Sequence, residues 1–135
     1  MSATNPAPTV DGANSPFGKV FSAYSKAFAE RDMHGLQIAF APDARVVVRD
    51  RRTNKTLDLS PAEFFTQLYG QVSTAHFAVE QLISHFEDGY LFADGLWADS
   101  ADNTTAGTPI LRAADLFSAH PDGKIWSPDV VWTGP

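Results

Sequence analysis

The sequence predicts an α+β domain in which three helices come first and a mostly antiparallel sheet follows. Three stretches, residues 15–31, 33–40 and 60–72, carry apolar side chains at the helical spacing of three and four. Four long β-type stretches come after them, separated by turn signals. Helices followed by an antiparallel meander are the α+β pattern. Because 135 residues suffice for one domain, we expect a disordered N-terminal tail over residues 1–14 and a single domain over residues 15–135.

Each predicted helix begins at a residue that can cap it. Ser15 precedes a proline at the first helical position of the first helix, and Tyr24 lies in the middle of its apolar stripe. Asp32 can cap the short second helix. Ser60 and Glu63 have the spacing of a capping box at the start of the third. These signals fix where the helices begin.

The strands begin with a β-branched run at 44–50, to which residues 56–59 can pair back. Two longer hairpins complete the sheet, each with a glycine-containing turn; their strands are residues 75–86 with 90–99, and 108–119 with 124–134. The segment between the two hairpins, "SADNTTAG", is predicted to be a flexible loop. The charged run Arg49–Arg52 is interpreted as a solvated hairpin tip.

Large apolar side chains occur on both faces of the predicted strands. Strict alternation from Phe77 places Val79 and Ile83 on one face and Leu82 and Phe86 on the other. A sheet that is apolar on both faces needs two covers. Three helices can cover one face, so a second copy of the chain is expected to cover the other, and we predict a homodimer.

Composition excludes several functional classes. There is no cysteine, which removes disulfides, thiolate catalysis and zinc–thiolate sites. The net charge of −6 argues against nucleic acid and anionic membranes as partners. No apolar run is long enough to cross a bilayer, and the first residues lack the features of a secretory signal, so a cytoplasmic protein is expected. No two histidines have metal-ligand spacing on one element, so no metal and no cofactor are predicted.

Three polar residues stand out as candidates for chemistry: Tyr24, His76 and Asp115. Asp115 lies in the middle of an apolar strand, on the same face as Leu111, Ala113 and Phe117. A carboxyl group in apolar surroundings has a raised pKa and can act as an acid or base near neutral pH. The structural alternative is that a neighbouring backbone group, or an arginine such as Arg112 or Arg45, binds the Asp115 carboxylate.

Two segments carry a resemblance to a known superfamily. "FSAYSKAFAERDMHGLQIAFAPDARVVV" resembles the opening of the nuclear transport factor 2-like superfamily, which includes ketosteroid isomerase, scytalone dehydratase and the SnoaL-type polyketide cyclases. "ADLFSAHPDGKI" is similar to its penultimate strand and turn. The resemblance covers residues 17–134. It implies a cone-shaped fold, a strongly curved sheet wrapped around an apolar pocket that the helices close.

The resemblance also assigns roles to individual residues. Tyr24 matches the tyrosine that holds the oxyanion in ketosteroid isomerase, and Asp115 matches the protonated aspartate of that enzyme. SnoaL-type cyclases have an acid/base aspartate at the same strand position. Trp132 matches a pocket aromatic. Val48 stands where the isomerase has its proton-shuttling aspartate, which argues against a plain steroid isomerase.

The similarity to scytalone dehydratase is partial. His76 matches one of the two catalytic histidines of that enzyme, whereas Phe28 and Ala29 replace its helix tyrosine–aspartate pair. The epoxide-hydrolase branch places an arginine and an aspartate two apart on a strand. Arg112 and Asp115 are three apart and fall on opposite faces, which disfavours that branch.

Together these observations predict a cofactor-independent acid/base enzyme: a cyclase, isomerase or dehydratase acting on a hydrophobic, oxygenated small molecule such as a polyketide or terpenoid intermediate. Asp115 would be the acid/base, Tyr24 the hydrogen-bond donor to the substrate oxygen, and His76 a second proton-transfer group. The predicted substrate-binding residues are Phe28, Val48, Tyr69, Trp97, Trp126 and Trp132. The alternative is a non-catalytic ligand-binding or dimerisation domain of the same fold.

Overall fold

The computed structural model describes residues 14–72, 75–99 and 108–135. The predicted tail up to residue 13 and the predicted loop at 100–107 lie outside these residues. The helices are α1 (Pro16–Glu30), α2 (Met33–Ile38) and α3 (Pro61–Gln71), and a short 3₁₀ turn spans Phe86–Asp88. The strands are β1 (Val46–Asp50), β2 (Lys55–Leu59), β3 (Ala75–His85), β4 (Tyr90–Asp99), β5 (Thr108–Ala119) and β6 (Ile125–Thr133).

The helix starts are those that the sequence predicts. The Ser15 hydroxyl accepts a hydrogen bond from the Gly18 amide at 3.1 Å, and the Asp32 carboxylate accepts one from the Gly35 amide at 3.1 Å. Both halves of the Ser60–Glu63 capping box are present, at 2.8 and 3.1 Å. These caps satisfy amides that would otherwise lack partners in the first helical turn.

The six strands form one sheet in the order β2-β1-β6-β5-β4-β3. Only the β1–β6 pair is parallel among the pairs of described strands, so the predicted α+β fold with a mostly antiparallel, curved sheet is confirmed. The tight turn between β5 and β6 packs against the start of α1. Gly123 has a φ of +91°, and a Cβ there would lie 2.4 Å from the Pro16 carbonyl, so only glycine fits.

A β-bulge at Glu80 reverses the alternation of side chains along β3. Before it, Phe77 lies opposite Trp97; after it, Ile83 lies opposite Phe92. Trp97 and Phe92 are five apart on regular β4 and therefore face opposite sides of the sheet. The prediction that Phe77 and Ile83 share a face is wrong for this reason.

A second bulge, at Ser127 in β6, separates two tryptophans that strict alternation puts on one face. Ser127 has a φ of +52°, and the register shifts beside it. Trp126 pairs with Ser118 and Trp132 with Ala113, and these partners lie five apart on regular β5. Trp132 is therefore in the core at 1% exposure, while Trp126 is on the other face at 44%.

The core fills the space between the helices and the inner face of the sheet. One charged residue of the described chain, Asp50, is buried with it, at 7% exposure. Arg52 donates to both Asp50 carboxylate oxygens, at 2.9 and 3.0 Å, and lies 5.5 Å from the centre of the Trp132 ring. These bonds hold the pKa of Asp50 below its usual value. The interpretation of the charged run as a solvated tip is thus wrong for Asp50.

No helix in the described ranges combines the length and the apolar character that a membrane span requires.

Candidate active site

Asp115 lies on the inner face of β5, between the cross-strand partners Ala93 and Val130. Its same-face neighbours Ala113 and Phe117 are buried, as the alternation predicts. Within the described residues, no hydrogen bond or ion pair to the Asp115 carboxyl is found. Burial without a compensating partner disfavours the charged form and raises the pKa of Asp115 to about 7.

The structural alternative for Asp115 was a bond to a neighbouring backbone group or to an arginine such as Arg112 or Arg45, and both arginines bind elsewhere. Arg112 points away from Asp115 and forms an ion pair with Glu80. Arg45 donates to Asp58 at 2.9 Å. No arginine of the described chain therefore neutralises the Asp115 carboxyl.

Tyr24 reaches the same region from the middle of α1. It is 6% exposed, and its ring contacts those of Phe28 and Phe117 at centroid distances of 5.9 and 5.5 Å. Burial raises the pKa of Tyr24 well above 10, and negative charge on Asp115 raises it further. The hydroxyl therefore stays protonated, and it lies close enough to Asp115 for the two groups to interact electrostatically.

Tyr24 and Asp115 line a small cavity, which we call the inner cavity. Its volume is about 20 Å³, room for about one water molecule. Every other described residue that lines it is apolar: Phe28, Phe40, Val46, Phe64, Phe65, Leu68, Phe77, Trp97, Ala113, Phe117, Pro128, Val130 and Trp132. The structure thus brings two of the three candidate polar residues to one apolar site.

A second, open cavity adjoins the first, and we call it the outer cavity. Its volume is about 400 Å³. It shares three aromatic residues, Phe28, Phe77 and Trp97, with the inner cavity. Its other described lining residues are Ala29, Arg31, Ala75 and His76.

His76 lies at the rim of the outer cavity and does not line the inner one. It pairs with Ala98 and neighbours Phe77, so alternation turns it away from the inner face. Since β3 is an edge strand, an exposed side chain near its beginning can still reach the cavity mouth. The structure therefore does not bring His76 together with Asp115 and Tyr24.

The six predicted substrate-binding residues separate into three groups. Phe28 and Trp97 line both cavities, and Trp132 lines the inner one. Val48 and Tyr69 line neither; Val48 is fully buried, and Tyr69 donates a hydrogen bond to the Phe28 carbonyl at 3.2 Å. Trp126 lies outside both because of the bulge in β6, and its ring stacks on that of His120 at 5.2 Å.

Several lining residues were not singled out from the sequence. Phe64, Phe65 and Leu68 are on the apolar stripe of α3, and Phe117 is on the same face of β5 as Asp115. Both signals are visible in the sequence and would have identified them. Phe40 ends the apolar stretch 33–40, but it follows α2 in the structure and reaches the cavity through the docking of that segment beside Ile125 in β6.

No group of three or more histidine, aspartate or glutamate side chains suited to holding a metal ion occurs in the part of the chain that the structure describes.

No protein-family model matches the sequence, and no curated protein matches it significantly. Solved structures do match. A steroid delta-isomerase from Pseudomonas aeruginosa has a TM-score of 0.59 at 18% identity, covering 87% of this chain and 79% of that one. An NTF-2 like protein of unknown function from Burkholderia xenovorans has a TM-score of 0.62 at 10% identity, covering 92% and 88%.

A third solved structure is an epoxide hydrolase/cyclase-like enzyme with a role in pyran ring formation in the polyether salinomycin. Its TM-score is 0.60 at 16% identity, and the match covers 84% of this chain and 88% of that one. At these low identities the three matches show the fold and leave the reaction open.

Proposed function

On the nuclear transport factor 2-like fold that this chain has, we propose a cofactor-independent acid/base enzyme that acts on a hydrophobic, oxygenated small molecule. One observation carries the proposal: the carboxyl group of Asp115 lies in an apolar cavity beside the protonated hydroxyl of Tyr24, with a pKa of about 7. Two of the structural neighbours, an isomerase and a hydrolase/cyclase-like enzyme, support the same class by analogy.

The proposed reaction begins with proton transfer from carbon. The Asp115 carboxylate removes a proton next to a substrate carbonyl, and the electron pair of the broken C–H bond moves to the carbonyl oxygen. Tyr24 donates a hydrogen bond to the oxyanion that develops there. Protonated Asp115 then returns the proton to carbon in an isomerisation or to a departing hydroxyl in a dehydration. In a cyclisation the enolate carbon attacks a second carbonyl carbon of the substrate, the π-electron pair of that carbonyl moves to its oxygen, and protonated Asp115 gives the proton to this oxygen.

His76 keeps a narrower proposed role. From the rim of the outer cavity it can exchange protons with the part of a ligand that occupies that cavity. Because His76 lines the outer cavity and Asp115 the inner one, we assign no direct proton transfer between them. General-base catalysis in the inner cavity is therefore assigned to Asp115 alone.

A second candidate function is ligand binding without catalysis. The observation that favours it is the size of the inner cavity, since about 20 Å³ admits no substrate atom group larger than a water molecule without movement of the side chains around it. In that case the chain would bind a hydrophobic ligand in the outer cavity, and Asp115 would stay without substrate contact.

The experiment that tests catalysis is exchange of the α-protons of 2-tetralone, a flat hydrophobic ketone, followed by NMR in deuterated buffer. We expect the wild-type protein to accelerate exchange, with a rate that rises as the pH passes through about 7, because only ionised Asp115 accepts the proton. Tyr24→Phe should lower the rate by about a hundredfold because the oxyanion loses its donor.

Tyr90→Phe is the matched control, because it removes a tyrosine hydroxyl from a residue that is 40% exposed and lines neither cavity. This variant should exchange 2-tetralone at the wild-type rate. Equal losses in the two variants would contradict the role of Tyr24. If the protein did not raise the exchange rate of 2-tetralone above that in buffer at any pH, binding without catalysis would be favoured.

We also propose that the outer face of the sheet, the face opposite the core, binds a second copy of the chain. Ile83, Tyr90, Leu116 and Trp126 are exposed by 40 to 44%, and Ile83 and Leu116 flank Phe92 in one cross-strand row. An exposed apolar row on an antiparallel sheet is suited to packing against its own symmetry copy.

Leu116→Asp should shift the sedimentation coefficient from that of a dimer to that of a monomer, because it places a charge in the row. Leu82→Asp is the control; Leu82 is 53% exposed but lies on the same side of the sheet as Phe77. A wild-type protein that sediments as a monomer, or equal effects of the two changes, would refute the dimer.

A further inference from the structure

Three aromatic rings stand between the two cavities. Phe28 comes from α1, Phe77 from β3 and Trp97 from β4, and all three line both cavities. Their ring centroids are 5.2 Å (Phe77–Trp97), 5.6 Å (Phe28–Trp97) and 6.4 Å (Phe28–Phe77) apart. These distances are those of aromatic rings in contact, so the three side chains form a continuous partition.

The partition is held differently on its two sides. On the helix side, the Tyr69 hydroxyl donates a hydrogen bond to the backbone carbonyl of Phe28, and the Arg31 guanidinium lies 4.6 Å from the centre of the Tyr69 ring. On the sheet side, Phe77 is half-buried on the edge strand β3, and its ring leans over Gly95. A Cβ at position 95 would be 2.9 Å from the tip of the Phe77 ring. Phe77 has the fewest constraints and is the ring best placed to move.

The sizes of the cavities assign a different part of a ligand to each side. The outer cavity, at about 400 Å³, is within the range of small-molecule sites. The inner cavity, at about 20 Å³, holds the acid and the hydrogen-bond donor. A ligand whose body rests in the outer cavity can present only a narrow, oxygen-bearing end to Asp115, and only when the partition opens.

We propose that Phe28, Phe77 and Trp97 determine specificity: the flat aromatic or conjugated body of the substrate stacks on them in the outer cavity, and displacement of the Phe77 ring admits its carbonyl end to Asp115 and Tyr24. The inference rests on the proposed function for the identity of the admitted group. It names the substrate class as planar ring ketones or enols, since planar conjugated rings make π–π contacts with tryptophan and phenylalanine that saturated rings lack.

The test uses Phe77→Leu, which thins the partition, and Phe92→Leu as the matched control. Phe92 is also half-buried on this sheet but lies on the opposite face, outside both cavities. The probes are 2-naphthol and its saturated counterpart decahydro-2-naphthol, neither of which has a ketone with an α-proton for Asp115 to remove. NMR reports binding through the Trp97 indole resonance and the ionisation of Asp115 through its carboxyl carbon.

We expect wild-type protein to bind 2-naphthol about three- to tenfold more tightly than the saturated alcohol, with the Trp97 signal shifted. Phe77→Leu should weaken 2-naphthol binding by about tenfold and lower the pKa of Asp115 by about one unit, because water gains access to the carboxyl. Phe92→Leu should change neither. Phe28→Leu provides a second variant with the same expected direction if Phe77→Leu fails to fold.

Equal binding of the two alcohols, or an Asp115 titration and naphthol affinity that neither partition variant alters, would overturn the inference. Because these readouts involve no turnover, they are independent of the 2-tetralone assay. If the partition variants had the expected effects but the protein showed no exchange activity, the protein would bind ligands in two cavities without catalysis. If exchange activity were present but the partition variants had no effect, the proposed function would stand and the role of the partition in specificity would fail.

Discussion

Asp115→Asn is expected to lower the protein-dependent exchange of 2-tetralone by about a thousandfold. Asparagine has nearly the same shape as aspartate, so the inner cavity keeps its walls, but the amide cannot accept a proton near neutral pH. The residual rate would come from Tyr24, which still stabilises the developing oxyanion. The measurement is the NMR exchange rate at a pH above the pKa of Asp115, where the wild-type carboxyl is ionised.

Asp94→Asn provides the control for this change. Asp94 lies on β4 opposite Ala114, on the face of the sheet away from the cavities, and is half-buried like Asp115. We expect the Asp94 variant to exchange 2-tetralone at the wild-type rate and to keep its dependence on pH. An Asp115→Asn protein with the full wild-type rate would remove Asp115 from the mechanism.

The position of Asp115 could be predicted from the sequence because it lies on a regular strand. Strand alternation places it with Leu111, Ala113 and Phe117, and β5 is regular from residue 111 to 118, so the alternation holds there. Tyr24 could be predicted in the same way, since α1 has no break in its helical period. In a regular helix or strand, the direction of a side chain follows from its position in the residue period of that element.

The positions that could not be predicted lie next to irregularities. The bulge in β6 turns Trp126 outward, and the bulge in β3 separates Phe77 from Ile83. A bulge inserts one residue and has only a weak sequence signature. Strict alternation carried across it therefore assigns the following side chains to the wrong face of the sheet. The prediction of His76 on a strand is correct, but alternation turns it away from its neighbour Phe77, whose ring lines both cavities.

Asp115→Asn should also stabilise the folded protein, and the gain should depend on pH. Folding moves the pKa of Asp115 from its ordinary value of 3.8 to about 7. At about pH 8 the wild-type protein must bury a charge that the unfolded chain exposes to water, which costs roughly 4 kcal/mol. Asparagine avoids this cost, so urea unfolding at that pH should show a free energy of unfolding higher by about that amount.

The sign of the pH dependence separates Asp115 from Asp50, whose carboxylate is buried. With a raised pKa, Asp115 destabilises the fold progressively as pH rises from about 4 to about 7, so the gain from asparagine should vanish near pH 4. Asp50 behaves in the opposite way: Arg52 lowers its pKa, and its contribution to stability is lost as pH falls.

A carboxyl group that weakens the fold at neutral pH, where an uncharged side chain of the same shape would not, is typical of a residue retained for chemistry. Asp50→Asn gives the contrast, since it removes the acceptor of Arg52 and should destabilise the protein at about pH 8. If Asp115→Asn also destabilised the protein at that pH, the carboxylate would have a stabilising partner. Asp115 would then not be a destabilising carboxyl group retained for chemistry, and its proposed catalytic role would fail as well.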